Sequence, residues 1–277
     1  MTDESCLPGD SGLVGESGLV ESRELDVDLF YREFWRRRPV VWRGCGDDFL
    51  SPALDWSDIE ALERRLADEP QRKPDEPKAD VHRREDGQVL FVNQAQHALS
   101  ELAEACAALA ERFGWEQCTA DLSVTRGRGA GIGCHFDHSD NFVVQQLGSK
   151  NWLVGLPEHT SQERQRKRML ETKGFVPSGR LPETPFQVEL TPGDVLYLPV
   201  FAPHEGTEGA QQDGGSVSVS FSYNAESALN QYLRPLLRRL SEEEAWWGPL
   251  PPGGADLDRL EGALVRALRT VARARKI

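Results

Sequence analysis

The residues best equipped for chemistry lie in the stretch HFDHSD at 135–140, where a histidine stands two positions before an aspartate twice over: His135 with Asp137, and His138 with Asp140. Imidazole nitrogens and carboxylate oxygens are ligands for divalent cations, so either copy offers a donor pair. A third donor comes from TPGDVLYLPVFAPHEG, in which a PGD turn, a strand and a proline-punctuated loop lead to His204. Two histidines and one carboxylate on one face of a metal leave three positions open, the arrangement suited to non-haem Fe(II) oxygen chemistry. Zinc favours a closed tetrahedral set, or three ligands and one water.

The choice between the two copies rests on strand register. NFVVQQ and KNWLVG read as strands, and Gly148 with Ser149 reads as a two-residue turn of the Gly-X kind. On that hairpin Leu147 faces Lys150, Gln145 faces Trp152, Val143 faces Val154 and Asn141 faces Leu156. Because side chains alternate, extending the first strand backward sets His135, Asp137 and Asn141 on the side of Lys150, with His138 and Asp140 on the other side beside Phe142 and Val144. A lysine directed into a barrel requires an anionic partner, since a buried ammonium without one is costly. The face with His135, Asp137, Asn141 and Lys150 is therefore expected to take a metal and a carboxylate-bearing cosubstrate.

The elements that must hold these residues follow from patterning. Residues 1–24 are expected to be a disordered acidic tail carrying a small duplication, GDSGLV then GESGLV. Within 25–115 the text is mixed α/β: a short helix with Leu29, Phe30, Phe34 and Trp35 that Pro39 ends, a VVW strand, a helix at 57–67, a charged loop at 68–80, a strand at 88–93 and a helix at 97–112. From 116 to 224 short strands are expected at 119–125, 141–147, 150–156, 186–190, 194–199 and 216–223, a spacing that suggests a sandwich or small barrel. Two helical stretches, about 226–243 and 255–275, close the chain, with apolar positions that suit either the core or a second copy.

Charge and cysteine usage exclude some partners. Against 45 acidic side chains stand 32 Lys and Arg, a net charge of −13, so duplex nucleic acid is not expected and a cationic peptide or protein fits better. The five scattered cysteines form no C-x-x-C pair and read as reduced thiols in a cytoplasm. No stretch approaches the length of about 18 apolar residues that a membrane span needs.

HFDHSDNFVVQQLGSKNWLVGLP together with TPGDVLYLPVFAPHEG resembles the JmjC-type, cupin-fold oxygenases that depend on Fe(II) and 2-oxoglutarate. FYREFWRRRPVVWRG is similar to their opening segment and GGSVSVSFSYN to their closing strand, so the resemblance spans roughly 28–224. It implies a mainly β fold with flanking helices, a double-stranded β-helix of the cupin or jelly-roll kind, and a C-terminal helical pair that would make a homodimer. It further implies His135, Asp137 and His204 as iron ligands and catalytic centre, Lys150 as salt-bridge partner of the distal carboxylate of 2-oxoglutarate, and Asn141 and Ser123 as further cosubstrate contacts. The Asn141 position resembles the asparaginyl hydroxylases, whereas PHEG around His204 is more like the bacterial ribosomal-protein hydroxylases. Asp121 departs from the pattern, because a carboxylate near the cosubstrate is unfavourable unless protonated or turned away. The implied reaction consumes O2 and 2-oxoglutarate, releases succinate and CO2, and hydroxylates an amino-acid side chain in a protein or peptide, preferably a basic one. A free amino acid or small natural product is the alternative substrate. A metal-binding cupin without oxygenase activity is the alternative function, and it would have no need of Lys150.

Overall fold

A computed structural model of the chain describes residues 13–14, 18–68, 79–83, 88–127, 131–170, 179–209, 215–224, 235–242, 246 and 257–274. They divide into one unit of residues 1–168 with 173–225 and a second of 169–172 with 226–277.

Alternation within the strands decides the layers of the first unit. Strand β12 (Ser216–Asn224) reads SVSVSFSYN, and β6 (Thr119–Thr125) reads TADLSVT. Val217, Val219 and Phe221 of the one, and Ala120, Leu122 and Val124 of the other, join a single apolar core. The intervening Ser218, Ser220, Ser222, Thr119, Asp121 and Ser123 line a cavity on the opposite face. Such period-two patterning is what a sheet with one apolar and one polar face requires.

These strands belong to a nine-stranded sheet ordered β1-β2-β3-β10-β7-β12-β6-β5-β4. Its other members are β1 (Leu13–Val14), β2 (Val20–Ser22), β3 (Val40–Trp42), β4 (Asp80–Arg83), β5 (Val89–Asn93), β7 (Ser139–Leu147) and β10 (Val195–Leu198). A second sheet is ordered β11-β8-β9, from β8 (Lys150–Val154), β9 (Phe186–Leu190) and β11 (His204–Glu208). Val41, Val143, Leu196 and Leu198 of the large sheet meet Trp152, Val154, Val188 and Leu190 of the small one in a second apolar cluster. The two sheets thus face each other, as in a double-stranded β-helix.

Helices cover the outer face of the large sheet. In α1 (Val27–Glu33) the Asp26 carboxylate accepts the Leu29 N–H at 2.9 Å and caps the helix, and the fully buried Phe30 sits at the centre of an aromatic cluster with Trp42, Phe113, Phe142 and Tyr197. Burying one such ring contributes about 1.5–3 kcal/mol. Helix α2 spans Trp56–Asp68, and Ile59 and Leu62 bury its apolar stripe. Helix α3 (Ser100–Phe113) buries Leu102, Cys106 and Leu109 in the same core and ends at Gly114, whose φ of 69° is the left-handed conformation glycine adopts without cost.

Two expectations change here. The acidic tail does not run to residue 24: Leu13–Val14 forms β1 and Val20–Ser22 forms β2, the two pair antiparallel, and β2 runs parallel to β3. Residues 1–12 and 15–17 lie outside the described residues, as do the charged loop at 69–78 and the start of the expected helix at 226–234. The expected hairpin of β7 with β8 does not form. Both edges of β7 are taken, by β10 and β12, while β8 pairs with β9 and β11, so Gly148 (φ 63°) and Ser149 carry the chain from one sheet to the other. His204, which the proline-punctuated loop leads to as expected, opens β11 opposite Val154.

Helix α4 spans Gln162–Leu170. In the second unit, residues 235–240 are helical and α5 spans Leu257–Ala274. Along α5, Ala263, Ala267 and Val271 are buried at every fourth position, whereas Leu257, Val265 and Leu268 are exposed.

Candidate active site

His135, Asp137 and His204 come together at one end of the cavity, with a ligand atom of each within 4.8 Å of the others. The backbone arranges this: His135 N donates to His204 O at 3.0 Å and His204 N donates to His135 O at 2.8 Å, an isolated antiparallel bridge just ahead of β7 and at the start of β11. Neighbouring Gly131 makes a second such bridge with Thr207, and a Cβ there would collide with the Gly206 carbonyl, so only glycine lets the segments approach.

Ring orientation follows from the next atoms out. His135 Nδ1 lies 2.8 Å from Gly133 O and His204 Nδ1 lies 2.9 Å from Ala202 O, so each Nδ1–H donates to a carbonyl and each Nε2 presents its lone pair inward. The two Nε2 atoms stand 3.1 Å apart, and Asp137 Oδ2 lies 3.6 Å from His204 Nε2. Three acceptors converging on one point repel one another unless a cation sits among them, and the spacing fits metal bonds near 2.1 Å. This donor set fits a divalent metal with open positions.

Electrostatics keep the donors ready. Burial pushes His204 down to about 4, so its imidazole is neutral at ordinary pH. Burial alone would raise the Asp137 carboxyl, but His135, His204, Arg168 and His138 outweigh it and hold the group below its usual range. Asn141 Nδ2 donates to Asp137 Oδ2 at 2.8 Å, and Asn141 Oδ1 accepts from Ser139 Oγ at 3.1 Å and Ser222 Oγ at 2.5 Å. Asn141 therefore steadies the Asp137 carboxylate.

Lys150 enters from the facing sheet. Its side chain is only 4% exposed, its Nζ donates to Ser123 Oγ at 3.3 Å and lies 5.3 Å from the centre of the Trp152 ring, and no acidic side chain pairs with it among the described residues. Burial lowers its pKa to about 8.

All six residues singled out by sequence, His135, Asp137, His204, Lys150, Asn141 and Ser123, line the same cavity of about 610 Å³. The predicted pairing of β7 with β8 was wrong, yet the facing of Lys150 survives, because inward side chains of two opposed sheets meet in the middle. His138 departs from expectation: it too lines the cavity, since β7 begins only at Ser139 and strict alternation does not extend to 138. Its buried Nδ1 has no hydrogen-bond partner among the described residues, and burial lowers its pKa. Asp140 does turn to the far face, where it accepts from Tyr197 Oη at 2.7 Å and Arg36 Nε at 2.9 Å.

Apart from Asp121, which the sequence had marked, the other wall residues carried no signal in the sequence. The cavity runs outward across β6, β5 and β4, past Asp121, Asn93, Phe91, Asp80 and His82. Registers put Asp80 opposite Asn93 and His82 opposite Phe91, and Phe91 opposite Ser123, one continuous floor over adjacent strands. Asp121 accepts the Gln94 N–H at 2.8 Å, and burial, with the Asp137 charge adding, raises its pKa to about 6. From α4, Arg168 reaches the cavity and Arg164 stacks over the Phe136 ring at 5.1 Å.

Comparison with known proteins adds three findings. The JmjC domain family model matches residues 92–230. The ribosomal protein uL16 3-hydroxylase of Escherichia coli (strain K12) is 31% identical over 112 residues, 40% of this chain and 28% of that protein, and the probable ribosomal oxygenase of Haemophilus influenzae is 24% identical over 215 residues, 71% of this chain and 49% of that protein. The chain thus spans about a quarter to a half of these relatives. Among solved structures, the YcfD ribosomal oxygenase from Escherichia coli in complex with cobalt and 2-oxoglutarate superposes with a TM-score of 0.56 at 20% identity, over 88% of this chain and 67% of that one.

Proposed function

The chain belongs to the JmjC domain family, and from that premise we propose that it is an Fe(II)- and 2-oxoglutarate-dependent dioxygenase that hydroxylates an amino-acid side chain of a protein. The observation that carries this reading is Lys150. A buried ammonium that faces a metal-donor triad across a cavity, with a serine hydroxyl and no acidic side chain as partner among the described residues, is stabilised by a carboxylate delivered from outside. A two-headed acid that chelates the metal with one end and meets Lys150 with the other satisfies both features, and 2-oxoglutarate is such an acid.

His135, Asp137 and His204 would hold the iron, which with O2 and 2-oxoglutarate supplies the oxidising chemistry for the substrate C–H bond. Around it, Asn141 fixes the Asp137 carboxylate, the Gly133 and Ala202 carbonyls fix the two rings, and Lys150 with Ser123 orients the cosubstrate. Trp152 shields the Lys150 charge from water.

The outward run of the cavity over β5 and β4 favours a polypeptide over a free amino acid, because a small molecule has no use for a floor that reaches Asp80 and His82. Asp121, with the acidic surface, favours a basic segment. The relatives' names, a uL16 3-hydroxylase and a probable ribosomal oxygenase, point to a ribosomal protein as the first candidate. A cytoplasmic homodimer joined through the C-terminal helices completes the reading, with the exposed Leu257, Val265 and Leu268 of α5 as its contact surface.

The test is turnover: purified protein with Fe(II), 2-oxoglutarate and basic ribosomal-protein peptides, followed by succinate release and a mass gain of one oxygen atom on the peptide. Succinate that forms only with metal, and falls in a Lys150→Ala control, supports the assignment. Metal binding without 2-oxoglutarate consumption across the peptide set moves the chain to a non-oxygenase cupin.

A further inference from the structure

The second copy of the His-x-Asp pattern has no part in metal ligation, yet Asp140 is fully buried and bonded on every side. Two segments carry the metal donors, 135–140 and 199–204. Four hydrogen bonds involving the backbone join them: the two of the His135–His204 bridge, Phe201 N to Asp137 O at 3.0 Å, and Val200 N to Asp140 Oδ1 at 3.2 Å. Only the last ends on a side chain.

That side chain is itself anchored. Asp140 Oδ1 also accepts the Tyr197 hydroxyl at 2.7 Å, its Oδ2 accepts Arg36 Nε at 2.9 Å, and the Arg36 N–H donates to Tyr197 Oη at 2.9 Å, closing a triangle of three elements. The segment that Asp140 holds needs holding. Phe201 has a φ of 67°, a left-handed conformation that a bulky residue adopts only when its surroundings enforce it. Thr160 Oγ1 adds a clamp from the other side by donating to Phe201 O at 2.7 Å. Next comes Ala202, whose carbonyl sets the tautomer and rotation of the His204 ring.

We propose that Asp140 is a positioning residue of the metal centre: by holding the Val200 N–H it fixes the strained loop whose Ala202 carbonyl aims His204 at the metal. This rests on the reading of His135, Asp137 and His204 as metal ligands given above. Groups hydrogen-bonded directly to metal ligands are worth about 10–100-fold in metal affinity; Asp140 acts one step further out, through Val200 and the Ala202 carbonyl, so the lower end of that range applies. A purely structural Asp140 would instead serve only as the charge partner of Arg36.

The two roles separate in a Co(II) titration of the full chain, read by the visible absorption of the bound ion and paired with melting temperatures. Asp140→Ala removes the acceptor, and its Co(II) dissociation constant is expected to rise about tenfold. Asp140→Asn keeps one acceptor oxygen but turns an N–H toward Arg36 or Val200, and a smaller rise of about threefold is expected. Arg36→Gln breaks the ion pair while sparing the bond to Val200, so it is expected to lower the melting temperature and leave Co(II) affinity and spectrum as in the wild type. If Asp140→Ala does not fold, the contrast between Asp140→Asn and Arg36→Gln decides alone. Wild-type Co(II) affinity in Asp140→Asn, or an equal loss in Arg36→Gln, overturns the proposal while leaving the metal site intact. A wild-type protein that takes up no Co(II) overturns the metal site and the proposal together.

Discussion

Replacing Lys150 by methionine tests the cosubstrate reading from two directions at once. In the metal- and cosubstrate-free protein the ammonium is buried without an acidic partner among the described residues, and its pKa falls from 10.5 to about 8. That gap corresponds to about 3 kcal/mol of lost stability. The sign follows from proton counting. Below pH 8 folded and unfolded chains both hold the proton, and the folded state bears the whole cost. Between pH 8 and 10.5 the unfolded chain holds a proton that the folded one has released, so stability rises with pH. Methionine has similar length and no charge, so Lys150→Met should stabilise the free protein at pH 7 by at most about 3 kcal/mol, on the order of 6 °C in melting temperature. The gain should vanish near pH 10.5. Affinity for 2-oxoglutarate should move the other way, since truncating one member of a buried charge pair costs about 2–5 kcal/mol, roughly 30-fold or more in binding. Melting curves between pH 7 and 10.5, with and without Mn(II) and 2-oxoglutarate, measure both effects. A variant that melts below wild type at pH 7 and keeps its 2-oxoglutarate shift would refute the reasoning, because the lysine would then be paired in the fold and idle in the site.

The remaining predictions concern the metal donors, the cavity floor and the C-terminal helix. His135→Ala should abolish Co(II) binding while His138→Ala keeps most of it, as isothermal titration would register; the reverse order contradicts the donor set. Because burial holds His204 at about 4 against an ordinary 6.5, the unfolded chain takes up a proton there before the folded one. Stability of the metal-free protein should therefore fall as pH drops from 6.5 to 4, and a His204→Gln variant should lack that part of the slope in acid-denaturation curves. Asp121→Asn should raise KM for a basic peptide about tenfold with little change in kcat, and steady-state kinetics with a neutral peptide should be unaffected. Leu257→Lys with Leu268→Glu, both at exposed positions of α5, should lower the mass measured by light scattering to that of a single chain.

Much of the molecule can be read from residue order because the physics there is local. Period-two alternation in TADLSVT and SVSVSFSYN fixes which side chains face the core and which face the cavity, whichever strands lie alongside. The same holds for the metal donors: His135 and Asp137 are two apart, and His204 follows a recognisable turn and strand.

Partner choice is not local. The Gly148–Ser149 turn is as good a hairpin turn as any, but β7 already has both edges filled by β10 and β12, and those strands lie some 50 to 80 residues down the chain. Alternation also stops where a ladder stops, so His138 reaches the cavity and Asp140 does not. Tertiary structure alone brings Asp140 under Val200, and Asp121 and Asp80 onto one floor. The sequence by itself determined the donors and the faces of the strands, because side-chain chemistry and backbone period belong to each segment alone. Only the packed sheets decided which strands pair, that His138 joins the cavity and which aspartate supports the donor loop, because those depend on edges, corners and burial that no single segment contains.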